Sequence, residues 1–231
     1  MIKQKFPDVS VISFDLDDTL WNGTEVLIKA EKAMMSWMQS HTPKVMTLSR
    51  EEMRAKKIQF VKSNPHLRYQ VSGVRQKFLH TLFEEFNYSS AESLSHECFD
   101  VFFQARQNVI FFEDVETVLK TLQNDFNLIS LTNGNADIEL VGLKPYFELS
   151  LNAEDFSKPK PDSEMFLHAL EKLDINPESI LHVGDHPNHD MFGAHNVGMR
   201  TCLLKDGTRV WDQEFIPDIT IEHIRELILK S

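Results

Sequence analysis

Short apolar runs, closed at several points by polar residues, alternate with helix-patterned stretches along much of this chain. That alternation narrows the fold more than any other feature. The runs occupy 9–14, 128–132, 149–151, 180–183, 201–204 and 219–221, and the helical patterns 114–124, 162–173, 188–196 and 222–230. Asn176-Pro177 reads as the N-cap and first position of a helical turn just before the run at Ile180. Strands separated by helices cannot pair through tight hairpins. They form a parallel sheet with helices on both faces, an α/β architecture.

Glycine marks an interruption in this alternation. Between Asn22 and Thr132 only Gly23 and Gly73 occur, whereas Gly134, Gly142, Gly184, Gly193 and Gly198 all follow. Glycine is disfavoured inside helices and enriched at tight turns, so the depleted segment reads as a helical block. Helices are expected near 24–40, 49–62, 68–87 and 90–107, with Pro43 and Pro65 between them. Ser49-x-x-Glu52 and Ser89-x-x-Glu92 read as capping boxes, the first with Leu48 and Met53 as a hydrophobic staple. Phe78, Leu82, Phe83 and Phe86, and Phe99, Phe102 and Phe103, recur at helical spacing and are read as packing stripes. The expected organisation is a core of residues 1–22 and 109–231 with a helical domain, 23–108, inserted after the first strand.

Of 231 residues, 42% are hydrophobic and 26% charged, which is enough apolar material for a sizeable core. The net charge of −11, with no visible Lys/Arg cluster, argues against a nucleic-acid partner and against an anionic membrane surface. An anionic substrate would therefore need a local lysine or a metal. Cys98 and Cys202 make no disulfide framework, the first residues lack a signal-peptide pattern, and no run approaches the roughly 20 apolar residues of a membrane span. A cytoplasmic location is expected.

The polar residues that follow the runs carry chemistry. Asp15 and Asp17 follow the first, Thr132, Asn133 and Gly134 end the second, and Gly184-Asp185 with Asp190 follow the fourth. In a parallel sheet these strand ends open on one edge. Asp15, Asp17, Asp185 and Asp190 would then crowd one cleft. Two like charges about 4 Å apart repel by about 4 kcal/mol at an effective dielectric of 20. A divalent cation relieves that repulsion, and an all-oxygen donor set suits Mg2+.

Asp15-Leu-Asp-Asp-Thr19, Thr132-Asn-Gly134, Lys160-Pro-x-x-x-x-Phe166 and Gly184-Asp-x-x-x-x-Asp190 stand in the order of the four motifs of the haloacid dehalogenase-like hydrolase superfamily. The chain resembles that superfamily over essentially its whole length. Gly142-Leu-Lys-Pro-Tyr-Phe147, Ala194 and Gly198-Met-Arg-Thr201 look like further family features. The resemblance implies a Rossmann-like parallel-sheet core and identifies the helical insertion with the C1 cap, which would close over the site and read the leaving group. It implies an Mg2+-dependent phosphatase acting on a small phosphorylated metabolite through an aspartyl-phosphate. Asp15 would be the nucleophile and Asp17 the general acid and base. Thr132 with the backbone N–H groups of Asn133 and Gly134 would bind the phosphoryl oxygens. Lys160 would balance charge between Asp15 and phosphate. The metal would be held by the Asp15 side chain, the Asp17 backbone carbonyl and Asp185, with Asp190 supporting its water shell and Lys160. Lys158 competes with Lys160 for the lysine role, and the aromatic six residues on at Phe166 favours Lys160. Asp18 stands where many members carry glycine. Within the family, Asp15 to Trp21 with Leu131 to Asn135 resembles bacterial phosphatases acting on the ribitylaminouracil phosphate of riboflavin synthesis and on flavin mononucleotide.

Other readings follow from the same residues. A phosphomutase or a catalytically silent binding protein would share the core. A dehalogenase is disfavoured, because attack on carbon needs neither Asp17 nor a metal. His186, His189 and His195 are read as loop residues rather than zinc ligands. Arg68, Tyr69 and Arg75 are read as a solvated helix face, with contact to a substrate's polar tail as the alternative.

Overall fold

The computed structural model describes residues 2–67, 69–205, 207 and 209–229. The chain forms two compact units, Met1–Gly23 with Ile110–Ser231, and Thr24–Val109. In chain order the principal elements are α1 (Ile2–Lys5), β1 (Val11–Phe14), α2 (Gly23–His41), α3 (Arg50–Ser63), α4 (Val71–Glu85), α5 (Ala91–Arg106), α6 (Val115–Leu122), β2 (Asn127–Thr132), β3 (Leu149–Asn152), α7 (Glu164–Leu173), β4 (Ile180–Gly184), α8 (Gly193–Asn196), β5 (Arg200–Leu204) and β6 (Ile219–Ile221).

The apolar runs become six parallel strands in the order β3-β2-β1-β4-β5-β6. β1 is central, pairing Phe14 with Ser130 of β2 on one side and with Val183 of β4 on the other. Strand order reverses at β1, so the carboxyl ends of β1 and β4 flank the crevice where open α/β sheets bind ligands. Both faces of the strands are covered. Val11, Ile129, Leu131 and Ile180 share one buried cluster with Met165, Phe166 and Ala169 of α7 and Ala194 of α8. The alternate residues Ile12, Phe14, Leu128, Leu181 and Val183 are buried as well, as the period of two requires when helices flank both faces.

The helical unit has its own core. Ala30, Met34, Met38, Phe78, Leu79, Leu82, Phe83, Cys98 and Phe102 form one cluster, with Leu48, Met53, Phe86 and Phe99 packed against it. The aromatic stripes thus join α2, α4 and α5. Ser49 caps α3 through a complete box: its Oγ accepts from Glu52 N–H at 3.1 Å, and Ser49 N–H donates to Glu52 Oε2 at 2.8 Å. No described helix is long and apolar enough to cross a membrane.

Three local expectations are corrected. The Ser89 box does not form. Asn87 turns the chain in the left-handed region at φ 56°, the N-cap falls on Ser90, and that residue makes no side-chain cap bond. The stretch 222–230 is a short 3-10 turn, Ile224–Leu227, within the described residues. Glu226 Oε1 accepts from the N–H groups of Glu222 and His223 at 2.8 Å each, which tightens the turn while Ile224 and Leu227 bury. The 188–196 stretch is not one α-helix. Pro187–Phe192 is a π-turn in which His186 C=O accepts from Met191 N–H, five residues on, at 3.2 Å, and α8 adds one turn.

Candidate active site

Asp15 lies just beyond β1, where its N–H donates to Val183 C=O of β4 at 2.9 Å. The chain then turns sharply. Asp18 adopts φ 63°, a left-handed conformation that glycine takes most readily, and its Oδ1 accepts from Gly23 N–H at 2.9 Å. Trp21 Nε1 donates to Asp17 Oδ1 at 2.8 Å, which fixes the second carboxylate of the motif. Thr19 Oγ1 lies 3.4 Å from Asp15 Oδ2 and 3.2 Å from Asp185 Oδ1, linking the ends of β1 and β4.

Lys160 is fully buried and uses all three of its N–H donors. They go to Asp15 Oδ1 at 2.8 Å, Leu131 C=O at 2.6 Å and Asp190 Oδ1 at 2.6 Å. Asn133 clamps the lysine backbone in both directions: its Nδ2 donates to Lys160 C=O at 2.9 Å, and its Oδ1 accepts from Lys160 N–H at 2.8 Å. Lys158 instead sits at the surface, 3.1 Å from Asp162. Thr132 Oγ1 accepts from Gly134 N–H at 3.0 Å, so the loop after β2 is internally braced.

The π-turn brings Asp190 back to the end of β4. Its Oδ2 accepts from His186 N–H at 3.0 Å. Asp190 packs so closely on Gly184 that a Cβ there would stand 2.4 Å from Asp190 Cγ. Asp15, Asp185 and Asp190 present carboxylate oxygens within 4.8 Å of one another. The sequence-predicted residues Asp15, Asp17, Thr132, Asn133, Gly134, Lys160, Asp185 and Asp190 all line one cavity of about 250 Å³.

Charge in this cavity is unevenly compensated. Burial would raise the Asp190 pKa, but the Lys160 charge and the His182 hydrogen bond outweigh it and hold the group well below the usual carboxylate range. Burial would likewise lower Lys160, and Asp15 and Asp190 reverse that, so it stays charged. Asp15 is pushed well up, first by burial and then by Asp190 and Asp185, with Lys160 opposing. Burial and Asp190 push Asp185 up to about 7, with Arg209 opposing. Two buried oxygen donors thus lack sufficient positive charge, which is the environment a divalent cation fits.

Several residues of the site were not singled out from sequence. Thr19 stands inside the first motif. Arg209 contacts Asp185 Oδ2 and lies 3.4 Å from Asp18, reaching the cavity from a segment with no apolar periodicity to announce it. His182 is wholly buried beneath Asp190. The one signal for it is a ring nitrogen pair inside an otherwise apolar strand. Of the histidines read from the sequence, His186 and His189 also line the cavity and His195 packs on an aromatic ring. His186 and His189 stack 3.8 Å apart, His186 Nδ1 accepts from Asn188 and His189 N–H at 3.2 Å each, and His195 stacks on Phe215 at 3.9 Å. Arg75 turns inward in the helical unit, 2.6 Å from Glu31 and 3.5 Å above the Phe102 ring, rather than presenting a solvated face. Arg68 lies outside the described residues.

A parallel sheet carrying a carboxylate-lysine cluster at its switch point defines a class of hydrolase. The model of that class, haloacid dehalogenase-like hydrolase, matches residues 9–198, and the chain belongs to this family. It is 29% identical over 225 residues to the 5-amino-6-(5-phospho-D-ribitylamino)uracil phosphatase YigB of Escherichia coli, covering 95% of this chain and 94% of that one. It is 30% identical over 145 residues to a phosphoserine phosphatase of Thermus thermophilus, covering 60% and 58%. Among solved structures, one described as 2-haloacid dehalogenase from Pseudomonas syringae superposes with a TM-score of 0.90 at 34% identity, covering 95% of this chain and 96% of that one.

Proposed function

We propose that the chain is a magnesium-dependent phosphomonoesterase acting on a small phosphorylated metabolite through a covalent phosphoryl-Asp15. The observation that carries this reading is the Asp15–Lys160 pair at 2.8 Å, set in one cavity with Thr132 and with a second acid, Asp17. An Asp15 oxygen attacks phosphorus, the ester P–O bond breaks, and Asp17 gives its proton to the leaving alkoxide. Water then attacks phosphorus, Asp17 takes its proton, and the acyl-phosphate P–O bond breaks to release inorganic phosphate and regenerate Asp15. Thr132 and the Asn133 N–H would hold the equatorial oxygens, joined by the Gly134 N–H once it turns from Thr132 Oγ1, while the Lys160 charge, fixed on Asp15, offsets theirs. Asp15, Asp185 and the Asp17 backbone would hold the cation, with Asp190 behind them, and when bound it supplies Lewis-acid neutralisation of phosphoryl charge.

The likeness to YigB favours the ribitylaminouracil phosphate as substrate, and flavin mononucleotide, which carries the same phosphoribityl group, is the second compound to assay. The dehalogenase description of the Pseudomonas syringae structure supports a second reading, in which Asp15 attacks carbon and displaces halide. Asp17 disfavours that reading, because a proton donor for a leaving alkoxide is wasted on a halide.

Purified protein is expected to release inorganic phosphate from one or more phosphorylated metabolites in magnesium buffer, and no halide from 2-chloropropionate. Halide without phosphate would reverse the assignment. A phosphomutase would move phosphate between sugar positions without releasing it. Asp15→Asn should lower phosphate release by at least about a hundredfold while circular dichroism is unchanged. Near-native turnover in that variant would remove Asp15 as nucleophile.

A further inference from the structure

The centre of β4 holds a group that the chemistry above leaves unused. His182 has no exposed surface, although its strand neighbours are Ile180, Leu181, Val183 and Gly184. A buried imidazole costs free energy unless both ring nitrogens are satisfied. Both are. The parallel register sets Ser13 of β1 beside His182, and Ser13 Oγ lies 2.8 Å from Nδ1. On the other side Nε2 lies 3.4 Å from Asp190 Oδ1. Phe166 meets the ring edge-on at a centroid distance of 5.4 Å and an interplanar angle of 89°, which restrains its rotation.

We infer that His182 is a positioning residue: a neutral imidazole held as the Nε2–H tautomer by Ser13, which orients Asp190 so that Asp190 can hold Lys160 on Asp15. The assignment follows from counting donors and acceptors. An ionised carboxylate only accepts, so the nitrogen facing Asp190 must carry the proton. The positive charge that Asp190 requires is already supplied by Lys160 at 2.6 Å, so the ring has no need to be cationic. A neutral ring leaves Nδ1 as an acceptor, and the Ser13 hydroxyl donates to it. Asp190 then receives Lys160 and His182 on Oδ1 and the His186 N–H on Oδ2. Without the imidazole donor Asp190 Oδ1 keeps only the Lys160 ammonium and Oδ2 the His186 N–H, so the carboxylate loses the contact that fixes Oδ1 from the β4 side. Lys160 would lose its fixed aim. Supporting residues of this kind typically change activity about 10- to 100-fold when removed.

The effect on turnover rests on the phosphatase reading, but the tautomer does not. The test uses the full-length protein and two polar variants. His182→Gln keeps an N–H able to reach Asp190. His182→Asn is shorter and keeps a partner only for Ser13. Long-range proton–nitrogen correlation on [15N]histidine-labelled wild type should show the His182 ring, assigned by the signals lost in His182→Gln, protonated at Nε2 and bare at Nδ1 at neutral pH. The Nδ1–H tautomer or an imidazolium would overturn the inference. The ammonium signal of Lys160, slowed in proton exchange in wild type, should persist in His182→Gln and vanish in His182→Asn. With an ester that wild type hydrolyses, His182→Asn should lose kcat about 10- to 100-fold with KM unchanged, and His182→Gln should recover most of it. Equal behaviour of the two variants, in either readout, would make His182 a packing residue. If wild type releases no phosphate at all, the functional reading falls, and the tautomer and the Lys160 signal still decide this inference.

Discussion

Gly184 is glycine because Asp190 occupies the place its side chain would take. A Cβ there would stand 2.4 Å from Asp190 Cγ and 2.5 Å from Oδ2, and neither atom can yield without breaking the Lys160 contact. Gly184→Ala should therefore behave as overpacking, destabilising the chain by about 1–3 kcal/mol and displacing Asp190. Urea unfolding checks this, and an unchanged midpoint would mean that the π-turn relaxes freely. The acidic residues and Lys160 were legible in the sequence because each lies at a fixed step from a strand end or a proline. Arg209 was not, since it reaches Asp185 from 24 residues away and no apolar periodicity in the sequence around it points to the site. His182 was hidden differently. It sits inside an apolar run, where sequence alone cannot tell a packed imidazole from one bonded at both nitrogens.

At the level of elements, alternation of apolar runs and helices was enough to read the parallel sheet, because buried strands leave no polar face to confuse the period. The turn Pro177–Ser179 was legible from Asn176-Pro177, whereas the 3-10 turn Ile224–Leu227 and the π-turn were not. Their residues carry helical spacing, and what separates them from α-helix is a hydrogen bond one residue shorter or longer. Pro187 and the pull of Asp190 toward Lys160 decide that in space, not in pattern. The two serine motifs make the same point in a form that can be measured. Ser49 and Ser89 have the same Ser-x-x-Glu spacing, yet one caps a helix and the other does not. Ser49→Ala should cost about 1 kcal/mol, within the range of about 0.5–2 measured for lost N-caps. Ser89→Ala should change stability by no more than about 0.5 kcal/mol, as a surface substitution away from a cap. Denaturant midpoints of the two variants, compared side by side, test the distinction, and equal losses would contradict it.

For the whole molecule, the unresolved balance is electrostatic. The chain carries a net charge of −11 and gathers Asp15, Asp185 and Asp190 within 4.8 Å, with Lys160 committed to two of them and Arg209 to the third. Folding must hold those carboxylates together against their own repulsion, and a cation that binds only the folded arrangement removes part of that cost. Binding to the native state alone stabilises by RT ln(1 + [L]/Kd), about 2.7 kcal/mol at a hundred times Kd. For a chain of this size each kcal/mol moves the midpoint by about 2–4 °C, so saturating magnesium should raise Tm by about 5–10 °C over chelated protein. Calcium-free and magnesium-free protein in EDTA gives the baseline, and hydrolysis should stop in the same buffer. Asp185→Asn separates specific binding from general screening. It removes a ligand while leaving the surface charge almost intact, so the magnesium shift should shrink toward zero in that variant. A shift of equal size in both proteins, or one reproduced by sodium chloride at matched ionic strength, would assign the effect to screening and take the cation out of the carboxylate cluster.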